Sequence, residues 1–133
     1  KLFLGNLDSK RDWGHARDYV EAMWKILQQK KPDDYVIATG KQLSIRQFIN
    51  LVTKKLNLNI IWKGKGLKEK GYDTVLKRDI VFIDKNYIRP LDVNTLLGNA
   101  SKARKKLSWK PRTNIDQLIE EMISEEINIL NVK

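Results

Sequence analysis

Arg89, Pro90 and Asp92 lie close together in the chain, and their types suit the grip of a nucleotide. A guanidinium matches paired phosphate oxygens, and a carboxylate accepts from the neighbouring hydroxyls of a ribose. Proline fixes φ and turns the residue before it away from the helical region. Arg89 is therefore expected to be extended and projected by a stiff turn, with Asp92 in the first turn of a helix. A nucleoside diphosphate would use both charges. A surface ion pair between Arg89 and Asp92 would have the same spacing, and the stretch alone leaves both readings open. Lys10-Arg11-Asp12 reads as a loop ahead of a helix and offers a second arginine beside a carboxylate.

Several chemistries are excluded by what is missing. The chain has no cysteine, hence no disulfide and no thiolate metal site, and its single histidine, His15, rules out most imidazole centres. Gly64 and Gly66 sit among lysines, with no apolar strand running through a glycine turn into a helix as a dinucleotide requires. No tyrosine is followed four residues later by a lysine. No catalytic, cofactor-binding or metal-binding residue is expected from this chain.

The elements that position these residues follow from apolar spacing. Leu2–Leu4 reads as a strand ending at Gly5-Asn6. A helix from His15 to about Gln29 carries Ala16, Tyr19, Val20, Met23, Ile26 and Leu27 as its expected core stripe. Asp18 suits its amino-terminal dipole and His15 reads as structural. Tyr35–Ala38 reads as a short strand. Ser44 with Gln47 three residues on forms a capping box ahead of a stripe of Ile45, Phe48, Ile49, Val52 and Leu56. Residues 59–63 lean towards strand, 64–71 read as a charged flexible connection, and Ile80–Ile83 as another strand. Two more helices are expected, from about Ala100 to Leu107 and from about Ile115. On the last, Glu120, Glu121, Glu125 and Glu126 form a solvated face. The fold class is α/β, short strands covered by about four helices, and 133 residues suffice for a single domain.

Longer stretches carry a resemblance. Arg89-Pro90 with Asp92-Val93, Leu97-Gly98-Asn99 with Ser101-Lys102-Ala103, and Leu107-Ser108-Trp109-Lys110-Pro111 resemble the carboxyl-terminal signature of extended short-chain dehydrogenase/reductases acting on nucleotide sugars. Leu4-Gly5-Asn6-Leu7-Asp8-Ser9-Lys10-Arg11-Asp12-Trp13-Gly14-His15, continuing to Trp24, and Asp33-Asp34-Tyr35-Val36-Ile37-Ala38-Thr39-Gly40 resemble the GDP-mannose 4,6-dehydratase family.

That resemblance implies a carboxyl-terminal substrate-binding portion whose amino-terminal Rossmann domain is missing, so that this chain alone is inactive. In the family, NADP takes hydride from C4 of the sugar, water is lost across C5 and C6, and hydride returns to C6. It implies substrate-binding roles for Arg11 at the diphosphate or its ribose, Arg89 at the diphosphate and Asp92 at the ribose, with Tyr87 nearby, and for Leu4, Gly5 and Asn6 under the base. Phe3 fits that pocket or the core. Asp12 would hold the Arg11 fork. Asp92 is one carbon shorter than the glutamate usual there, and 64–77 departs from the family. The implied partners are GDP-mannose or GDP, the missing domain, and a second copy, because the Tyr35–Ala38 strand would lack its sheet.

Charge leaves further classes open. Lys plus Arg is 26 against 16 for Asp plus Glu, a net +10 that suits anionic ligands or a solvated surface. The lysines are dispersed and no nucleic-acid-binding motif is present, so neither nucleic acid nor membrane is expected, and the compartment expected is the cytoplasm. A basic anion- or nucleic-acid-binding module, which the charge alone permits, and the substrate domain of another nucleotide-sugar epimerase, dehydratase or reductase, are the alternatives.

Overall fold

The computed structural model describes residues 1–131. The chain forms two compact units, Lys1–Lys10 with Leu43–Thr95, and Arg11–Gln42 with Leu96–Lys133. It passes between them within two short strands, β2 (Lys10–Asp12) and β3 (Gln42–Ser44). The residues expected to form a loop at Lys10–Asp12 are thus extended.

The first unit is a four-stranded sheet of order β1-β6-β5-β4, with α2 (Ile45–Lys55) joined to it by a common core. β1 (Leu2–Leu4) runs parallel to β6 (Arg78–Ile83), with Leu2 opposite Val81 and Leu4 opposite Ile83. β4 (Ile60–Lys63), β5 (Lys70–Asp73) and β6 form an antiparallel meander. The expected capping box forms: Ser44 Oγ accepts from Gln47 N–H and Gln47 Oε1 from Ser44 N–H. Ile49 is buried with Leu7 and Val81, packed around by Leu4, Ile45, Trp62, Ile80 and Ile83.

β5 corrects the expectation of a flexible connection over 64–71. Lysine, glycine and aspartate have little intrinsic strand preference, but a central strand is made by pairing on both edges. Gly71 permits it: a Cβ there would stand 3.0 Å from Val81 Cβ and 3.2 Å from the Trp62 ring. Gly64 (φ +83°) and Gly66 (φ +57°) turn the chain from β4 into β5.

In the second unit, α1 (Ala16–Leu27) buries Ala22 and Asp18 and packs Tyr19 and Ile26 on the core formed by Ala38, Ala100, Ala103, Leu107 and Trp109. Four of the six expected stripe residues therefore face outward: Ala16 is exposed, and Val20, Met23 and Leu27 are 60–81% exposed, as is Trp24. Asp18 rotates the helix inward because its Oδ2 accepts from Arg112 and Thr113 N–H at 3.0 and 2.9 Å, while its carbonyl accepts from Trp109 Nε1 at 2.9 Å. A carboxylate so satisfied is tolerated in a core where hydropathy alone would exclude it. His15 caps α1, its Nδ1 accepting from Arg17 N–H at 3.0 Å.

Tyr35–Ala38, expected as a strand, belongs to no strand among the described residues. A strand needs a neighbour for its N–H and C=O groups; Tyr35, Ile37 and Ala38 instead pack on the helices, with Gly98 against Ala38. α3 (Ser101–Leu107) and α4 (Ile115–Asn131) occur where expected. On α4, Ile119 is buried, whereas Met122 and Ile127 are about half exposed, at 53% and 46%. Glu121 is not simply solvated: it takes Arg17 at 2.8 Å and His15 Nε2 at 3.2 Å. Lys102 and Lys106 on α3 hold the Asp33 carboxyl down to about 2, chiefly through their hydrogen bonds. No helix among the described residues is long and apolar enough to cross a membrane.

Candidate functional site

Six of the residues singled out from the sequence, Leu4, Gly5, Asn6, Tyr87, Arg89 and Asp92, belong to the first unit, on the segments leaving β1 and β6. Parallel pairing makes those segments leave side by side. Leu4 O accepts from Asp84 N–H at 2.8 Å, and Gly5 lies directly against the Tyr87 carbonyl. Asp84 Oδ1 accepts from Asn86 N–H at 2.9 Å and opens a single 3-10 turn, Lys85–Tyr87.

Gly5 is required by this approach. A Cβ would stand 2.2 Å from Tyr87 O and 2.7 Å from its carbonyl carbon. Backbone cannot swing aside as a flexible side chain can, so Gly5→Ala should cost about 1–3 kcal/mol of stability. Urea unfolding of the variant checks this; an unchanged midpoint would contradict the close approach.

Beyond Tyr87, Ile88 is extended (φ −82°, ψ 120°) and Asp92 N–H donates to Arg89 O at 3.1 Å. Pro90 thus occupies the second position of a β-turn, where its fixed φ belongs. The helix expected to start at Asp92 is absent; the turn closes on itself and residues 96–100 remain irregular. Arg89 is exposed, and among the described residues no carboxylate pairs with its guanidinium. The Arg89–Asp92 ion pair left open by the sequence does not form. Asp92 Oδ2 accepts instead from Ser9 Oγ at 2.8 Å.

The segment before Ser9 is held by α2. Leu7 O accepts from Arg46 N–H at 2.9 Å and Ser9 O from Ile45 N–H at 3.2 Å, so carbonyls of this loop satisfy donors at the helix start that have no partner inside the helix. Arg46 also donates to Asp8 Oδ1 at 3.0 Å, pairs with Glu69 and covers the Trp62 ring at 4.8 Å. The hydrogen bond to Glu69 raises its pKa above the ordinary guanidinium value. Asn6 Oδ1 accepts from Asp8 N–H at 3.0 Å.

Phe3, 47% exposed, is not core: it stacks on Phe82 with ring centroids 5.3 Å apart. The two rings, with Leu67, Ile83, Asp84 and Lys85, line a shallow groove of about 300 Å³. Tyr87 is 60% exposed. Arg11 lies in β2, in the second unit, and is half-buried. The Asp12 carboxylate, expected to hold Arg11, accepts instead from Thr39 N–H and Oγ1 and from Gly40 N–H, at 2.6–2.8 Å, and so fixes that turn.

Ser9, Phe82 and Lys85 were not singled out as site residues. Strand alternation could have drawn attention to Phe82, but nothing local marks Ser9, whose partner is 83 residues away. No group of three acidic, histidine or cysteine side chains that could hold a metal occurs among the described residues. The glycine turn at 64–66 leads into a single 3-10 turn, Gly66–Lys68, and then β5, and not into an α-helix whose N–H groups could face a pyrophosphate.

The family model described as GDP-mannose 4,6 dehydratase matches residues 1–122. The chain is 48% identical over 129 residues to the GDP-mannose 4,6 dehydratase of Dictyostelium discoideum, covering 97% of the chain and 36% of that protein. It is 49% identical over 129 residues to GDP-mannose 4,6 dehydratase 2 of Caenorhabditis elegans, covering 96% of the chain and 33% of that protein. It spans about a third of the length of these relatives. Among solved structures, RMD from Pseudomonas aeruginosa, complexed with NADPH, superposes with a TM-score of 0.67 at 18% identity over 92% of this chain and 34% of that one. That likeness bears on the α/β fold alone.

Proposed function

Because the chain belongs to the GDP-mannose 4,6-dehydratase family, we propose that it is one nucleotide-sugar-binding domain of a larger enzyme that converts GDP-mannose to GDP-4-keto-6-deoxymannose and water. The observation that carries this reading is Arg89: an exposed guanidinium without a carboxylate, projected from a proline turn beside Tyr87 and Asp92. An arginine so placed has its donors available for diphosphate oxygens. Asp92 takes the ribose hydroxyls, and Leu4, Gly5 and Asn6 border the base.

NADP, supplied with its binding residues by the rest of the enzyme, would accept and return the hydride. The part of this chain is to bind the GDP moiety and hold the sugar in place for that chemistry. Self-association is part of the same reading, supported by the apolar outer face of α1 at Val20, Met23, Trp24 and Leu27.

A calorimetric panel of GDP-mannose, GDP, UDP-glucose and dTDP-glucose tests the reading. Preference for the two guanine ligands is expected. Preference for UDP or dTDP would point to another nucleotide-sugar enzyme. Binding of any polyanion, falling steeply with salt, would point to a basic anion-binding module.

A further inference from the structure

We infer that the buried hydroxyl of Ser9 is a positioning group, orienting the Asp92 carboxylate for the ribose of a bound nucleoside diphosphate. The inference rests on the proposed function above and adds to it a residue to which neither the resemblance nor the charge pattern pointed.

Ser9 is 3% exposed, and its backbone is anchored on both flanks. Its carbonyl accepts from Ile45 N–H at the start of α2, while the next N–H, of Lys10, donates to Asn94 O at 2.8 Å. With the main chain so fixed, the hydroxyl sits 2.8 Å from Asp92 Oδ2. The direction of the bond follows from chemistry: an ionised carboxylate only accepts, so Ser9 donates its one proton. A hydrogen bond to a charged acceptor is among the stronger kinds, and inside a partly buried site it fixes a side-chain torsion that water would leave free.

What that torsion controls is reach. Asp92 has one methylene between backbone and carboxylate, so its oxygens can meet two vicinal hydroxyls only from a narrow range of orientations. Ser9 holds the carboxylate from the side of the β1–β2 loop, and the Arg89–Asp92 turn holds its backbone. The hydrogen bond and the turn together help to set the position of Asp92 relative to Arg89, the group proposed for the diphosphate. Ribose and diphosphate are a fixed covalent distance apart in any nucleotide, which makes that relative position matter for affinity.

The test compares GDP with 2′,3′-dideoxy-GDP, titrated into the full chain and into Ser9→Ala, Asp92→Ala and the double variant. The unsubstituted chain should prefer GDP by about tenfold, the worth of hydrogen bonds to a charged group. Ser9→Ala should reduce the preference to about twofold or less with the affinity for dideoxy-GDP unchanged, and should add nothing in the Asp92→Ala background. A purely structural role would weaken both nucleotides equally or only lower the melting temperature. Either of those results, or an undiminished preference in Ser9→Ala, would overturn the role of Ser9 and leave the proposed function standing. Failure of the unsubstituted chain to bind either nucleotide would overturn both.

Discussion

Arg89→Ala is expected to weaken GDP binding by roughly 1.5–3 kcal/mol, the range for a hydrogen bond to a charged group. In dissociation constant that is a loss of about tenfold to somewhat over a hundredfold. The reason is that Arg89 is exposed on a turn preset by Pro90 and has no carboxylate partner among the described residues, so the free protein has no ion pair to break before the diphosphate binds. Arg89→Lys should recover only part of the loss, because an ammonium cannot reproduce the planar two-pronged contact. Melting temperatures of both variants should stay close to that of the unsubstituted chain. Titration calorimetry beside melting curves checks the pair. A fall in stability with affinity unchanged would mean that Arg89 supports the turn and nothing more.

The largest effect on stability is expected at the other end of the chain. Trp109 is 1% exposed, packs near Tyr19 with ring centroids 6.4 Å apart, and donates Nε1–H to the Asp18 carbonyl. Trp109→Ala should cost about 3–5 kcal/mol, from lost burial and from the cavity left among small neighbours, Ala22 and Ala103, that cannot close it. Trp109→Phe should restore part of the packing while leaving the carbonyl without its indole donor, at a remaining cost of about 1–3 kcal/mol. Trp24 offers the control: at 60% exposure, and at protein concentrations low enough to keep the chain unassociated, Trp24→Ala should change stability by about 0.5 kcal/mol or less. Urea denaturation of the three variants separates these outcomes, and equal losses at Trp24 and Trp109 would contradict the packing described for α1.

The residues that determined what could be read from the sequence are those whose constraints are local. Ser44 and Gln47 are three apart and make their capping box on the spot. Arg89 and Pro90 specify a turn because proline restricts its own torsion and that of its neighbour. The Leu2–Leu4 strand and the starts of α3 and α4 were legible for similar reasons. Pairing at a distance was not. β5 is a strand because β4 and β6 flank it, while its sequence, Lys70-Gly71-Tyr72-Asp73, reads as linker. The inward face of α1 was misassigned because Asp18 is drawn in by N–H groups of Arg112 and Thr113, 94 and 95 residues away. The helix expected at Asp92 fails because the turn closes from Arg89 O to Asp92 N–H and the Ser9 hydroxyl holds the carboxylate.

The same contrast applies to the candidate site. Motif spacing identified the arginine and the carboxylate as the chemistry-bearing groups. Ser9, the close approach of Gly5 to Tyr87, and the stacked pair of Phe3 and Phe82 became visible only once β1 and β6 lay parallel.

The central claim, that the segments leaving β1 and β6 hold the nucleotide, is tested most directly by adding GDP to isotope-labelled protein and following backbone amide resonances. The account predicts saturable shifts concentrated at Gly5, Asn6, Tyr87, Arg89 and Asp92. Shifts confined to Lys30, Lys31 and Lys106, which line a separate open groove in the second unit, would contradict it.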